Sequence, residues 1–73
     1  MPIVIAPLDT DLTIVKVNTD EKTKTHLRSL GVILNGTIKV IASAFGNVIL
    51  EVKGIRLALN KEVATKILVT VNK

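Results

Sequence analysis

The sequence predicts a mainly β protein, folded as a small, partly open barrel of about five strands. The chain has 73 residues, 48% of them apolar, which suffices for one small core and a single domain spanning residues 1–73. Phe45 is the only aromatic residue, so Ile, Val and Leu must fill that core. The β-branched residues among them lose little rotamer freedom on a pleated surface, which favours strands. Short alternating segments between turn residues complete the pattern.

The first strand is predicted over residues 12–17, where side chains alternate in polarity. Leu12 and Ile14 lie on one side of it, and the period of two places Lys16 with them. Asn18 comes next and Glu21 follows three residues later, a spacing typical of a capping box. We therefore expect Asn18 to cap a helix.

That helix is predicted over residues 19–30. Asp20 and Lys24 have the i,i+4 spacing of a favourable ion pair on a helix surface. Leu27 and Leu30 form a short apolar stripe, and we expect their burial to dock the helix on the core.

Glycine marks the later turns. Gly31 is expected to end the helix in the left-handed conformation that is common there. Asn35-Gly36 is a strong turn signal, and Gly46 and Gly54 break the chain again. Between these turns we expect an antiparallel meander of three strands over residues 37–41, 48–53 and 55–59, and the odd positions of the third, Ile55 included, face inward.

A single helical turn is predicted over residues 61–66, with Asn60 as its cap, and a last strand over residues 67–71. Alternation places the following residues in one core: Leu50, Val52, Leu57, Leu59, Ile67 and Val69. Five short strands, with one helix after the first and one helical turn before the last, are best satisfied by an SH3-like, partly open barrel, because it limits the exposed edges.

Charge and residue types bound the function. Ten Lys and Arg against six Asp and Glu give a net charge of +4, a mild bias toward anionic partners. The chain has no cysteine, which excludes disulfides and thiolate metal sites. Residues 1–8 lack a basic leader, and no segment approaches the roughly 20 apolar residues of a spanning helix. The expected location is the cytoplasm.

No residue set suited to catalysis stands out, so an enzyme is not expected. The only imidazole is that of His26, on the exposed flank of the predicted helix, and Asp9 and Asp11 are the nearest approach to a carboxylate pair. One histidine with scattered carboxylates cannot form a high-affinity Fe(II) or Zn(II) site within one subunit. We predict no metal and no cofactor; weak binding, or a site shared between subunits of a homo-oligomer, stays open.

Nucleic-acid binding is the alternative that the fold suggests, since small β-barrels often bind single strands through basic grooves. Such grooves need aromatic side chains on which bases stack, and Phe45 stands alone. The glycines also lack the spacing of a phosphate-binding loop. We expect no nucleic-acid partner.

An apolar surface is the remaining resource. Val32, Ile33 and Leu34 form a connection whose side chains cannot all face so small a core, so one or two are expected at the surface. Lys24 and Arg28 present positive charge one helical turn apart beside them. These five residues are our predicted partner-binding surface; the alternative is that the apolar three plug the barrel mouth.

The order of several segments resembles a known family. The segments are Leu27-Arg28-Ser29-Leu30-Gly31, then Arg56-Leu57-Ala58-Leu59, then Ala64, Ile67 and Val69. In this order and spacing the chain resembles the ferrous-iron-transport protein A (FeoA) family over about residues 8–71. Two departures stand out: Asn35 occupies the region of the family's Pro-Gly turn, and Asp9 or Thr10 replaces a glycine often found before the first strand.

The resemblance implies an SH3-like fold and a non-enzymatic accessory role in bacterial ferrous iron uptake. It implies a partner, ferrous iron transporter B, a membrane GTPase that the module meets from the cytosolic side, peripheral to the membrane at most. A related barrel forms the C-terminal module of iron- and manganese-responsive repressors. A stand-alone relative of that regulatory module is therefore a second alternative, although no helix-turn-helix precedes the barrel here.

Overall fold

The computed structural model describes residues 1–72, in which strands and helices follow one another in the predicted order. The strands are β1 (Asp11–Val17), β2 (Thr37–Ala44), β3 (Asn47–Val52), β4 (Ile55–Asn60) and β5 (Ile67–Val71). Helix α1 (Glu21–Ser29) follows β1, and helix α2 (Lys61–Ala64) precedes β5. A short 3-10 helix, Ile3–Ile5, comes first. The mainly β prediction is confirmed.

All five strands form one antiparallel sheet in the order β4-β3-β2-β1-β5. Strands β2, β3 and β4 are the predicted meander, and both of its turns are two-residue loops. Phe45 and Gly46 form the first of these loops, with φ angles of 52° and 78°. Two positive φ angles in succession are what a tight hairpin requires, because they match the twist of the flanking strands.

One buried cluster receives side chains from every strand and both helices. Leu12 of β1, Leu50 of β3 and Val69 of β5 have no exposed surface in it, and the edge strand β4 contributes Leu59. Because both edge strands share this cluster without pairing with each other, the sheet must curl around it. The result is the predicted partly open barrel.

Strand β4 buries less than its alternation predicts. Leu59 is 9% exposed and Leu57 is half-buried, whereas Ile55 is 60% exposed, so the inward prediction for Ile55 is wrong. Strand β4 is an edge of the sheet, and Leu59 leads into helix α2, which packs against this strand. Ile55 directly follows the hairpin turn at the other end, beyond that cover.

A bulge in β1 ends the predicted alternation of that strand. The pairing with β5 runs from Ile14 opposite Val69 to Lys16 opposite Leu68, which skips one residue of β1. An extra residue turns the following side chains to the other face. Lys16 is therefore exposed, contrary to its predicted place beside Ile14, and Val17 packs against the core instead.

The N-terminal segment, for which no element is predicted, covers the outer edge of β5. Met1 and Val69 exchange two hydrogen bonds: the Met1 amine donates to the Val69 carbonyl at 2.8 Å, and the Val69 amide donates to the Met1 carbonyl at 2.7 Å. Pro2 forms a bridge with Leu68. Ile3, only 1% exposed, then enters the core.

Helix α1 begins two residues later than predicted, and Asp20 rather than Asn18 caps it. The Asp20 carboxylate accepts hydrogen bonds from the Thr23 amide at 3.4 Å and from the Thr23 hydroxyl at 2.6 Å. Asn18 instead continues the pairing of β1 with β5, because its backbone amide donates to the Lys66 carbonyl. The predicted cap of α2 is confirmed, since the Asn60 side-chain oxygen accepts a hydrogen bond from the Val63 backbone amide at 2.8 Å.

Leu50→Ala is expected to lower the free energy of unfolding by about 2–5 kcal/mol, because a fully buried leucine leaves a cavity that the neighbours fill only in part. Leu57→Ala removes the same atoms from a half-buried position and is expected to cost clearly less. Urea denaturation of both variants measures the difference. Equal losses would contradict the incomplete cover of β4.

Candidate partner-binding groove

A groove of about 540 Å³ lies beside the C-terminal half of β1. One wall is formed by residues 15–18 at the end of that strand, and the other by one face of α1 and by the loop that follows it. The structure brings all the predicted surface residues together in its lining: Lys24, Arg28, Val32, Ile33 and Leu34. Their contact with a partner remains a prediction.

The end of α1 sets the direction of the loop. Gly31 has a φ of +99°, the predicted left-handed position, and a Cβ atom there would lie 2.9 Å from the Val52 side chain. The Val32 amide then donates to the Leu27 carbonyl at 2.9 Å, which holds the loop close to the helix. Glycine is therefore required at Gly31 both by its conformation and by its close approach to β3.

The three apolar residues of the loop divide between the core and the surface. Val32 is 2% exposed and closes the barrel beneath the helix, whereas Ile33 is 39% and Leu34 58% exposed. One member therefore plugs the barrel, and two face outward, as the sequence predicts.

The far end of the loop is tied to β1. The Asn35 amide donates to the Ile14 carbonyl at 2.8 Å, and the Ile14 amide donates to the Gly36 carbonyl at 3.0 Å. Asn35 takes a φ of +65°, which Asn tolerates better than most residues. The turn thus forms without the Pro-Gly that is typical of the family the sequence resembles.

Positive charge dominates the rim of the groove. Lys24 lies 3.7 Å from the Glu21 carboxylate, not beside Asp20 as predicted, because Thr23 already holds the Asp20 carboxylate. Lys16 and Arg28 have no carboxylate within ion-pair distance among residues 1–72. Three cations against one carboxylate leave the groove attractive to an acidic segment.

The structure also locates the histidine and the carboxylates that the sequence offered as candidate metal ligands. His26 is exposed, as predicted, and lies outside the groove lining. Asp9 has a φ of +52° and belongs to the turn before β1. The Asp11 carboxylate lies 3.8 Å from the Lys39 ammonium group, as an ion pair. Within the described part of the chain no three His, Cys, Asp or Glu side chains converge to hold a metal ion. Neither helix in that part has the length and apolar character needed to cross a membrane.

Sequence reasoning missed the β1 wall. Residues 15–18 line the groove, yet none of them is among the predicted surface residues. The available signal was in the sequence: valine at positions 15 and 17, which strict alternation places on the face opposite Ile14.

A second, smaller hollow of about 310 Å³ lies at the tip of the hairpin formed by β2 and β3, beside Phe45. The Phe45 ring is fully exposed, and Val4 and Lys61 share the hollow with it. The sole aromatic residue therefore lies outside the groove beside β1.

Comparison with known proteins agrees with this geometry. The model of the FeoA domain family matches residues 1–71. A crystal structure of an iron uptake regulatory protein (FeoA) superposes with a TM-score of 0.88 at 25% identity, covering 99% of this chain and 97% of that one. ScaR with bound Zn²⁺ superposes with a TM-score of 0.83 at 22% identity over 94% of this chain but only 35% of its own length, a likeness of fold alone. Among curated proteins no significant match is found.

Asp20→Ala is expected to destabilise the protein, whereas Asn18→Ala is not, because only Asp20 caps α1. The Thr23 hydroxyl lowers the pKa of Asp20 below its ordinary value, with further help from the Thr23 amide. A carboxyl with a lower pKa in the folded state stabilises the fold above its unfolded pKa, and this contribution disappears as the pH falls through the folded pKa.

Thermal melts of the wild type and both variants between neutral and acidic pH provide the measurement. The melting temperatures of the wild type and of Asp20→Ala should converge at the acidic end. A constant gap at every pH would contradict the role of the ionised carboxylate.

Proposed function

The chain belongs to the FeoA domain family, and from that premise we propose that it is a non-enzymatic accessory module of bacterial ferrous iron uptake. It acts on the cytosolic side of the membrane, beside ferrous iron transporter B, the membrane GTPase that carries Fe(II). Iron is the cargo of that transporter in this proposal.

The groove beside β1 is the observation that carries the proposal. Ile33 and Leu34 offer exposed apolar surface there, while Lys16, Lys24 and Arg28 surround it with positive charge. An apolar centre with a charged rim is typical of a protein interface. Positive charge also suits a module that works near the anionic surface of a membrane.

A protein partner fits the groove better than nucleic acid does. Single-strand binding takes much of its affinity from bases stacked on aromatic rings, worth about 1–3 kcal/mol each. The lining of the groove contains no aromatic residue, because Phe45, the only one in the sequence, lies at the tip of the β2–β3 hairpin. A phosphate backbone would make no favourable contact with the exposed apolar side chains of the groove, Ile33 and Leu34.

Leu34→Glu is expected to weaken capture of the transporter's cytosolic domain by about tenfold or more, because it places a charge on the apolar surface of the loop, which the partner covers. The melting temperature should barely change, since Leu34 is 58% exposed. Ile55→Glu is the matched control: it adds the same charge at a leucine-sized residue with 60% exposure outside the groove. Surface plasmon resonance of both variants measures the dissociation rate, where the Leu34 effect should appear.

Lys24→Glu combined with Arg28→Glu is expected to slow association with the same domain, and the effect should fade as salt is added. Lys53→Glu combined with Arg56→Glu makes the same change of charge at exposed residues outside the groove, so this pair separates a local effect from one of net charge. Equal slowing by both pairs would reduce the role of the rim to long-range attraction. Unaltered binding by the Leu34 and rim variants would move the interface elsewhere, and the hairpin tip at Phe45 is then the next surface to mutate.

A further inference from the structure

We propose that the groove holds its partner segment in an extended conformation, as a strand added to the open edge of β1. This inference rests on the proposed function, which places the partner in the groove. It adds what that partner segment must be: a strand that pairs with β1 through main-chain hydrogen bonds.

Strand β1 has unequal neighbours along its length. It pairs with β5 as far as Val17, but with β2 only as far as Thr13. Ile14 is still held on the β2 side, through its hydrogen bonds to residues 35 and 36. Beyond Ile14 the loop leaves the strand, so residues 15–17 have a strand neighbour on the β5 side alone.

The composition of the groove wall shows that this edge faces the groove. The wall is formed by four consecutive residues: Val15, Lys16, Val17 and Asn18. Beyond the bulge, successive side chains of the strand point to opposite faces, so side chains alone cannot place Lys16, Val17 and Asn18 along one groove. The backbone edge of β1 must itself form part of the wall.

One donor and one acceptor can be assigned to that edge. The backbone amide of Asn18 donates to the Lys66 carbonyl at 2.8 Å, so this N–H points toward the β5 side. Main-chain groups of neighbouring strand residues point in opposite directions, which directs the amide and carbonyl of Val17 into the groove. No loop or helix backbone group within residues 1–72 bonds to Val17.

Strand addition needs an unpaired backbone amide and carbonyl with apolar surface beside them. In this mode main-chain hydrogen bonds supply affinity, and alternate side chains supply specificity. Ile33 and Leu34 across the groove select apolar side chains on one face of the added strand. Lys16 and Arg28, also in the lining, select acidic side chains at the alternate positions. The fitting segment therefore alternates apolar and acidic residues.

A capped peptide of about seven alternating valine and glutamate residues is the probe. Titrated to millimolar concentration against the ¹⁵N-labelled full chain, it is expected to shift amide resonances of residues 15–18. It should also slow hydrogen exchange of the Val17 amide by about tenfold or more, because that amide gains a partner. The Asn18 amide is the internal control, since it is already bonded in the free protein.

Two N-methylated forms of the peptide test the main-chain bonds directly. Methylation of alternate amides blocks either the edge that faces β1 or the edge that faces solvent, with the side chains unchanged. One form should lose about tenfold or more in affinity, and the other should bind like the parent peptide. Equal binding by both forms would show capture by side chains alone and overturn the inference, as would shifts confined to β4, the other open edge.

The failure of this inference can be told apart from failure of the proposed function. If the transporter's cytosolic domain binds and Leu34→Glu weakens it, yet the Val17 amide exchanges as fast as in the free protein, the partner sits in the groove without adding a strand. If the peptide protects Val17 while the transporter's domain does not bind, the strand site stands and the proposed partner is wrong. An absence of peptide binding at millimolar concentration overturns the inference whatever the transporter does.

Discussion

The hydrogen bonds between Ile14 and residues 35 and 36 are the last contacts that hold β1 against its neighbour on the β2 side. Up to that point β1 is an interior strand, and its side chains at Leu12 and Ile14 are fully buried. After that point the bulge turns the strand over, so that Val17 packs inward and Lys16 faces solvent. The barrel and its groove therefore share one strand, whose first half builds the core and whose second half borders the opening.

The same division explains how the opening coexists with a stable core. All the fully buried side chains are apolar in the described chain, and no buried side-chain polar atom there lacks a partner. The core can thus close without the exposed residues of the groove, Ile33 and Leu34. Gly31 supports both parts, because its position against Val52 lets the chain leave α1 and bury Val32 before Ile33 and Leu34 turn outward. A substitution on the outward face changes the surface and leaves the packing beneath it intact.

Local patterns predicted the order of elements well, because alternation, turn residues and the Asn60 cap act over a few residues. They also gave five candidate residues that lie together in the lining of one groove, although Val32 is buried there and contact of the five with a partner stays a prediction. The errors arise where distant partners decide. Asn18 was the predicted cap of α1, and the pairing of its backbone with Lys66 keeps it in the extension of β1 instead. The bulge depends on the register of β5, and the exposure of Ile55 depends on which strand becomes an edge. The docking of Met1 on Val69 joins residues 68 positions apart, which no local pattern encodes.

The two outer edges of the sheet are treated differently, and this bears on how copies of the chain behave in concentrated solution. Residues 1 and 2 occupy the outer side of β5, whereas β4 pairs with β3 over six residues without a bulge and carries a single charge, at Arg56. An unguarded edge of this kind is a template for edge-to-edge growth. The net charge of +4 opposes such contacts over about 8 Å at physiological ionic strength. Colloidal stability of this protein thus depends on charge repulsion, and added salt favours its self-association.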